Sequence, residues 1–236
     1  MQSPGLKIII AVLFLLGFSI HTADAGSSFS INHLDIPNKF GSITEIHEGD
    51  KPTIFLVVSL PTYNAQKDTA AILEYLIQKY GLYLVLVEGG SRNDSLKHLR
   101  TMGTPEKRFQ VAEDFLRQGK IQGENYLDIV SNYDFLVYGV DDPDLYNASV
   151  AGDWAAWAKR PTAMIGNSLK QIEEKQVAFA ALIAIKEIIP ALCGLLRENG
   201  IAYVVVLPSH ATYTKEDLNQ SRKVLDGTFI PMKKEE

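Results

Sequence analysis

Cysteine is nearly absent from this chain. Cys193 stands alone, so no intramolecular disulfide can form. It lies in an apolar helical stretch, IIPALCGLL, where a buried and inert thiol is expected rather than a nucleophile, and stability must come from packing. Histidine is also scarce. His33, His47, His98 and His210 are scattered, with no Cys/His cluster at zinc-binding spacing. No glycine-rich phosphate loop and no G-x-S-x-G elbow occurs, which leaves two common routes to nucleotide binding and acyl transfer without their motif. A basic block is missing too: 23 Lys and Arg stand against 28 Asp and Glu, a net charge of -5. That balance argues against nucleic acid and anionic membrane as main partners. Tandem repeats and low-complexity linkers are absent, so one domain is expected.

What is present begins with an export signal. Met1 to Lys7 holds the only early cation, Ile8 to Ile20 is an apolar run, and Ala23-Asp24-Ala25 offers small residues at a peptidase site. The run is shorter than the roughly 20 apolar residues of a spanning helix. Residues 1–25 therefore read as a signal peptide cleaved before Gly26. The expectation is an exported protein, periplasmic or secreted, with no integral membrane span in the mature chain. Residues 26–236 form the single domain, ending in a short disordered tail, PMKKEE.

Downstream, strand-like and helix-like segments alternate. Ser42 to His47 and Thr53 to Leu60 flank the turn-rich Glu48-Gly49-Asp50-Lys51 and read as a hairpin. TIFLVVSL (53–60) is apolar on both faces, as a strand covered on both sides must be. Ala65 to Tyr80 has helical spacing and stops at Gly81. LYLVLV (82–87), DFLVYGV (134–140), VAFAALIAI (177–185) and IAYVVVL (201–207) are further buried strands. Helices open at Thr104-Pro105 and Asp142-Pro143, each a cap followed by proline at the first helical position. Another helix runs from Pro190 to Asn199, and a last amphipathic stretch follows Thr214. This alternation predicts an α/β fold: a mostly parallel open sheet, helices on both faces and an antiparallel edge strand from the hairpin.

Ligands of open parallel sheets bind beyond the carboxyl ends of the strands. That rule selects Leu60-Pro61-Thr62, Glu88-Gly89-Gly90, Asp141-Asp142, Lys186-Glu187 and Ser209-His210. Glu88, Asp141, Asp142, Glu187 and His210 are thus candidates for acid–base chemistry or cation binding. Three of them have a plainer role: Asp142 before Pro143 suits a helix cap, His210 an exposed loop, and Glu88 an ion pair with Arg92. A charge that ends a buried strand must find a partner or a ligand. Trp154 and Trp157 begin a helix that either packs or covers the site.

The stretches NAQKDTAAILEYLIQKYGLYLVLVEGGSRNDSLKHLR (64–100), YGVDDPDLY (138–146) and GIAYVVVLP (200–208) resemble exported bacterial proteins of the superfamily of ChaN-like haem-binding lipoproteins, erythromycin esterases and TraB/Tiki-type proteins. The likeness runs from about Ile36 to Pro208. It implies an α/β sheet with its site at the strand ends, using a His after the first core strand, a Glu after the second and a late His. Glu88 matches the acidic position, and Asp141 and Asp142 match a G-V-D-D-P stretch. Leu60 stands where the first His is expected, Val58 where an Asp is, and Ile188 where the second His belongs. The chain is also shorter between Tyr146 and Arg160 than in fuller members.

Leu and Ile can neither bind a metal nor take a proton, so the resemblance implies a scaffold without its chemistry, a pseudoenzyme. The first expectation is a non-catalytic binder of a small ligand or an envelope protein, its crevice formed by Val58, Leu60, Glu88, Arg92, Asp141 and Ile188. The alternative is a metal-assisted or carboxylate-based hydrolase using Glu88 and Asp141, with Asp142 or His210 assisting; a third is a structural envelope protein. By family analogy alone the group held would be haem or a divalent metal. No residue offers a clear axial ligand, and neither a metal site nor a cofactor is assigned.

Overall fold

The runs of Val, Ile, Leu and Phe that are too short and too β-branched for helices form the strands of the computed structural model, which describes residues 34–89 and 99–211. In chain order the elements are β1 (Gly41–His47), β2 (Asp50–Ser59), α1 (Tyr63–Tyr80), β3 (Leu84–Val87), α2 (Pro105–Arg117), α3 (Gly123–Val130), β4 (Leu136–Gly139), α4 (Pro143–Val150), α5 (Trp154–Lys175), β5 (Phe179–Ile185), α6 (Ile189–Glu198) and β6 (Ile201–Pro208). The signal segment, Gly90, Arg92, His98, the stretch after Thr214 and the C-terminal tail lie outside the described residues.

The strands make one sheet in the order β1-β6-β2-β5-β3-β4. All neighbours are parallel except the edge pair β1–β6. The mostly parallel α/β sheet with an antiparallel edge is therefore observed. Its edge strand differs in one respect from the expected hairpin, because β1 hydrogen-bonds to β6 and not to β2. The short link from β1 to β2 passes the start of β6, with Asp50 N–H donating to the Gly200 carbonyl at 2.7 Å. A Cβ on Gly49 would lie 2.4 Å from that same oxygen, so only glycine fits the crossing.

Side chains alternate across each strand. Ile54, Leu56, Val58, Leu84, Leu86, Leu182, Tyr203 and Val205 pack with Met164, Ile165 and Ile172 of α5 and Leu192 and Leu196 of α6. Phe55, Val57, Val85, Ala181, Ile183, Val204 and Val206, of opposite parity, are equally buried. Helix α1 packs on β2 and β6 and is contacted in turn by α2 and α3, while α4 packs on α5 and α5 on α6. Cys193 is buried in the first layer, and burial pushes its thiol up to about 12, as expected of an inert cysteine. No helix among the described residues is long and apolar enough to cross a membrane.

The helix starts follow their caps. Thr62 Oγ1 accepts from the Ala65 N–H at 3.4 Å and Thr104 Oγ1 from the Lys107 N–H at 3.4 Å. Asp142 Oδ1 accepts from the N–H groups of Asp144 and Leu145, both at 3.0 Å. Asp153 caps α5 in the same way.

Candidate functional site

Chain connections decide where this sheet can open. β3 leads outward to β4, whereas β5 leads back across β2 to β6. The two neighbours thus send their helices in opposite directions, and a crevice forms between their carboxyl ends. Glu88 follows β3 at that point. It stands two residues beyond Leu86, so strand alternation aims it at the α5 side.

There it meets Arg160, which no local feature of the sequence singled out. The Arg160 side chain is 2 % exposed, that of Glu88 9 % and that of Asp141 0 %. Arg160 Nη2 donates to Glu88 Oε1 and to Asp141 Oδ2, each at 2.5 Å, and Nε donates to both Asp141 oxygens at 3.2 Å. The other Glu88 oxygen, Oε2, accepts from the Ile185 N–H at 2.7 Å and so ties the end of β3 to the end of β5. Asp141 Oδ2 also accepts from the Gly89 N–H at 3.3 Å. Gly89 has a φ of 81°, in the left-handed region, and turns the chain over the Tyr146 ring. The guanidinium lies 5.0 Å from the Tyr146 ring and 4.9 Å from that of Trp157, within cation–π range. One proline follows: Pro161 lacks the N–H that would bond the Trp157 carbonyl, so α5 loses a backbone bond at the turn carrying Arg160.

Burial pushes the Glu88 carboxyl above its ordinary value. The Ile185 N–H and Arg160 oppose that rise, and Asp141 adds to it. Burial works against the Arg160 charge, but Asp141 and Glu88 outweigh it and hold the guanidinium firmly protonated.

Beside this triad is a cavity of about 250 Å³ whose walls include Ser59, Glu88, Gln122, Tyr146, Trp157 and Arg160. Val150, 71 % exposed, stands at its rim. Gln66, also unflagged by sequence, braces the floor. Its amide donates to Ser59 Oγ (3.1 Å) and the Leu60 carbonyl (2.7 Å), and its oxygen accepts from the Gly123 N–H at 2.7 Å. That last bond sets the start of α3 and hence Gln122. Two residues on, Glu124 is buried: Oε1 accepts from Asn125, Oε2 has no partner, and burial lifts the carboxyl to about 7.

Of the residues expected at the crevice, Glu88 and Asp141 meet through Arg160. Val58 and Ile188 are instead packed into the α5–α6 core, 2 % and 1 % exposed, because Val58 shares the strand face of Leu56. Ser59, the next residue, supplies the wall. Leu60 is half-buried and contributes its carbonyl to Gln66. Asp142 is a cap, as its plainer role predicted. His210 is not a free loop imidazole: its Nδ1 lies 2.8 Å from Asp68 Oδ2, which also accepts the His210 N–H at 2.7 Å. Glu187 pairs with Lys186 at 4.0 Å. Arg92 falls outside the described residues, and the cation found on Glu88 is Arg160. Trp157, in the first turn of α5, lines the cavity.

A larger groove of about 660 Å³ runs between α1, α2 and α3 beside Lys67, Phe109 and Tyr126. Burial opposes the Lys67 charge, yet hydrogen bonds to Tyr126 and Glu113 keep its pKa raised. The groove lies among helices, away from the strand carboxyl ends where open sheets hold ligands, so the strand-end crevice is the stronger candidate.

The donor set does not fit a metal or haem. The two carboxylates are engaged by a guanidinium, Leu60 and Ile188 have no donor side chain, and the described residues include no group of three or more His, Cys, Asp or Glu placed to hold an ion. Fold and site together define an α/β protein with a mixed, mostly parallel sheet and an arginine-centred crevice at its strand ends. No family model matches the chain, and no curated protein or solved structure matches it.

Proposed function

We propose that this chain is an exported, non-catalytic member of a ChaN/TraB-like superfamily that binds a small ligand in the crevice between β3 and β5. One observation carries the reading. Glu88 and Asp141, the carboxylates best placed for chemistry, are both spent on Arg160, while a walled cavity is left beside them. A general acid or base must reach the proton it moves. A carboxylate locked between a guanidinium and a strand N–H is better suited to shaping a site than to turning over a substrate. The aliphatic Leu60 and Ile188, at positions where the resemblance expects imidazoles, support the same view. Exposed Val150 at the rim and the Trp157 wall give a ligand both an entrance and an apolar surface.

Native mass spectrometry of the chain purified from its own host tests this. The expected result is a small-molecule adduct that is lost in Trp157→Ala, with circular dichroism showing that the variant remains folded. An adduct undiminished in that variant places the ligand elsewhere. Stoichiometric zinc or iron that disappears on Glu88→Ala, or ester or phosphoester turnover abolished by Glu88→Gln, overturns the non-catalytic reading in favour of the hydrolase.

A further inference from the structure

The crevice has a charge imbalance that selects among ligands. Among the described residues that line it or bond to its walls, the ionic groups are Glu88, Asp141 and Arg160. Two carboxylates face one guanidinium, so among the described residues the cluster carries one formal negative charge in excess when both carboxylates are ionised. An anionic guest would double that excess and a neutral guest would leave it, whereas a monocation would cancel it. Uncompensated charge is least tolerable where water is excluded, and the side chains of this triad are between 0 % and 9 % exposed.

Hydrogen-bonding capacity points the same way. Each oxygen of an ionised carboxylate can accept about two bonds. Glu88 Oε1 accepts from Arg160 and Oε2 from Ile185, so each retains acceptor capacity. Ser59 Oγ and the Gln122 side chain can add acceptors on neighbouring walls. Arg160 Nη1 is the countervailing donor, and its contact is the Ser149 hydroxyl at 3.5 Å. Tyr146 and Trp157 provide aromatic walls, surfaces that favour cations over anions. The cavity of about 250 Å³ accommodates about eight groups at the roughly 30 Å³ that a water-sized group occupies.

From this geometry we infer that the crevice takes a small organic ammonium, its N–H groups on Glu88 and its apolar part against Trp157 and Tyr146. The inference rests on the ligand-binding reading above and names the class of ligand for that same site. A guanidine and a primary amine share this chemistry; an inorganic cation would meet the Glu88, Ser59 and Gln122 oxygens but has no apolar part to set against Trp157 and Tyr146.

Isothermal titration of the full chain at neutral pH with three probes of matched size decides the matter: benzylamine, benzyl alcohol and benzoate. Benzylamine should bind at least about tenfold more tightly than benzyl alcohol, with benzoate weakest, since a one-charge difference at close range in a partly buried site is worth that much or more. Glu88→Gln should remove the preference. Because that variant also disturbs the β3–β5 tie, Val150→Lys is the second arm, placed at an exposed rim position that leaves the triad intact. The added cation should weaken benzylamine about three- to tenfold more than it weakens benzyl alcohol, because any loss of the valine surface falls on both probes alike. Equal or tighter binding of benzyl alcohol or benzoate overturns the ammonium assignment while a crevice binder stands. Saturation by none of the three also overturns it, and the co-purification experiment then judges the broader reading on its own.

Discussion

Glu124 offers a sharp quantitative test of this packing. The residue is 2 % exposed in the first turn of α3, one carboxyl oxygen is unpartnered, and burial lifts the carboxyl from an ordinary 4.5 to about 7. A folded-state value above the unfolded one means that the folded protein favours the protonated acid. The stability this lends is fully present below about pH 4.5. It declines as the unfolded chain ionises, and levels off once pH exceeds about 7. The gap, at 1.36 kcal/mol per unit, corresponds to a loss of about 3 kcal/mol across that window. Glu124→Gln abolishes the titration but buries an amide whose N–H groups lack partners, a constant offset of about 1–3 kcal/mol. The offset cancels when the two proteins are compared at several pH values. Urea denaturation followed by circular dichroism between about pH 4.5 and 8.5 should show the variant gaining about 3 kcal/mol on the parent as pH rises. With a urea slope of about 2 kcal/mol per molar, the difference between midpoints changes by about 1.5 M. A difference that stays within about 0.5 kcal/mol at every pH would mean that Glu124 is hydrated or paired when ionised, and the reasoning would fail.

Two further outcomes follow from the crevice. Arg160→Met should cost about 3–5 kcal/mol in urea unfolding, because it strands two buried carboxylates. Adding Glu88→Gln and Asp141→Asn should recover a large part of that loss; no recovery would show that Arg160 stabilises through packing on Tyr146 and Trp157 and not through charge. Asp142→Ala removes the α4 cap and should cost about 1 kcal/mol without changing probe affinity. A change of affinity beyond about threefold would return Asp142 to the site.

Strand and helix order could be read from local chemistry because each signal is local. Thr104-Pro105, Asp142-Pro143 and Gly81 mark helix ends by backbone geometry, and runs such as LVLV show burial on two faces. Pairing is not local. Glu48-Gly49 looks like a hairpin turn because it is short, polar and glycine-bearing; only the arrival of residues 201–208 between the flanking strands reveals a crossing. The site divides in the same way. Glu88 was identifiable because a charge ending a buried strand demands a partner, and Asp141 because it ends the next one. Arg160 was not. In WAAWAKRPTAM it resembles any solvated helix cation beside Lys159, and its partners lie 19 and 72 residues away. Gln66 was hidden for a related reason, as its side chain ties the end of β2 to the start of α3, 57 residues away.

The insertion of β6 between β1 and β2 also governs when this protein can assemble. Synthesis delivers β1 and β2 first, joined by a link too short to be rearranged, yet the strand that bonds to both comes last among the described elements. Until residues 201–208 leave the ribosome, two strand edges near the start of the domain, one of them the apolar β2, lack a partner. Such edges invite pairing with other chains, and closing the sheet joins positions more than 150 residues apart, as in Glu45 with Tyr203, which makes the step slow. The domain therefore closes from its C-terminal end, and the interval before closure is when it most needs protection from its neighbours.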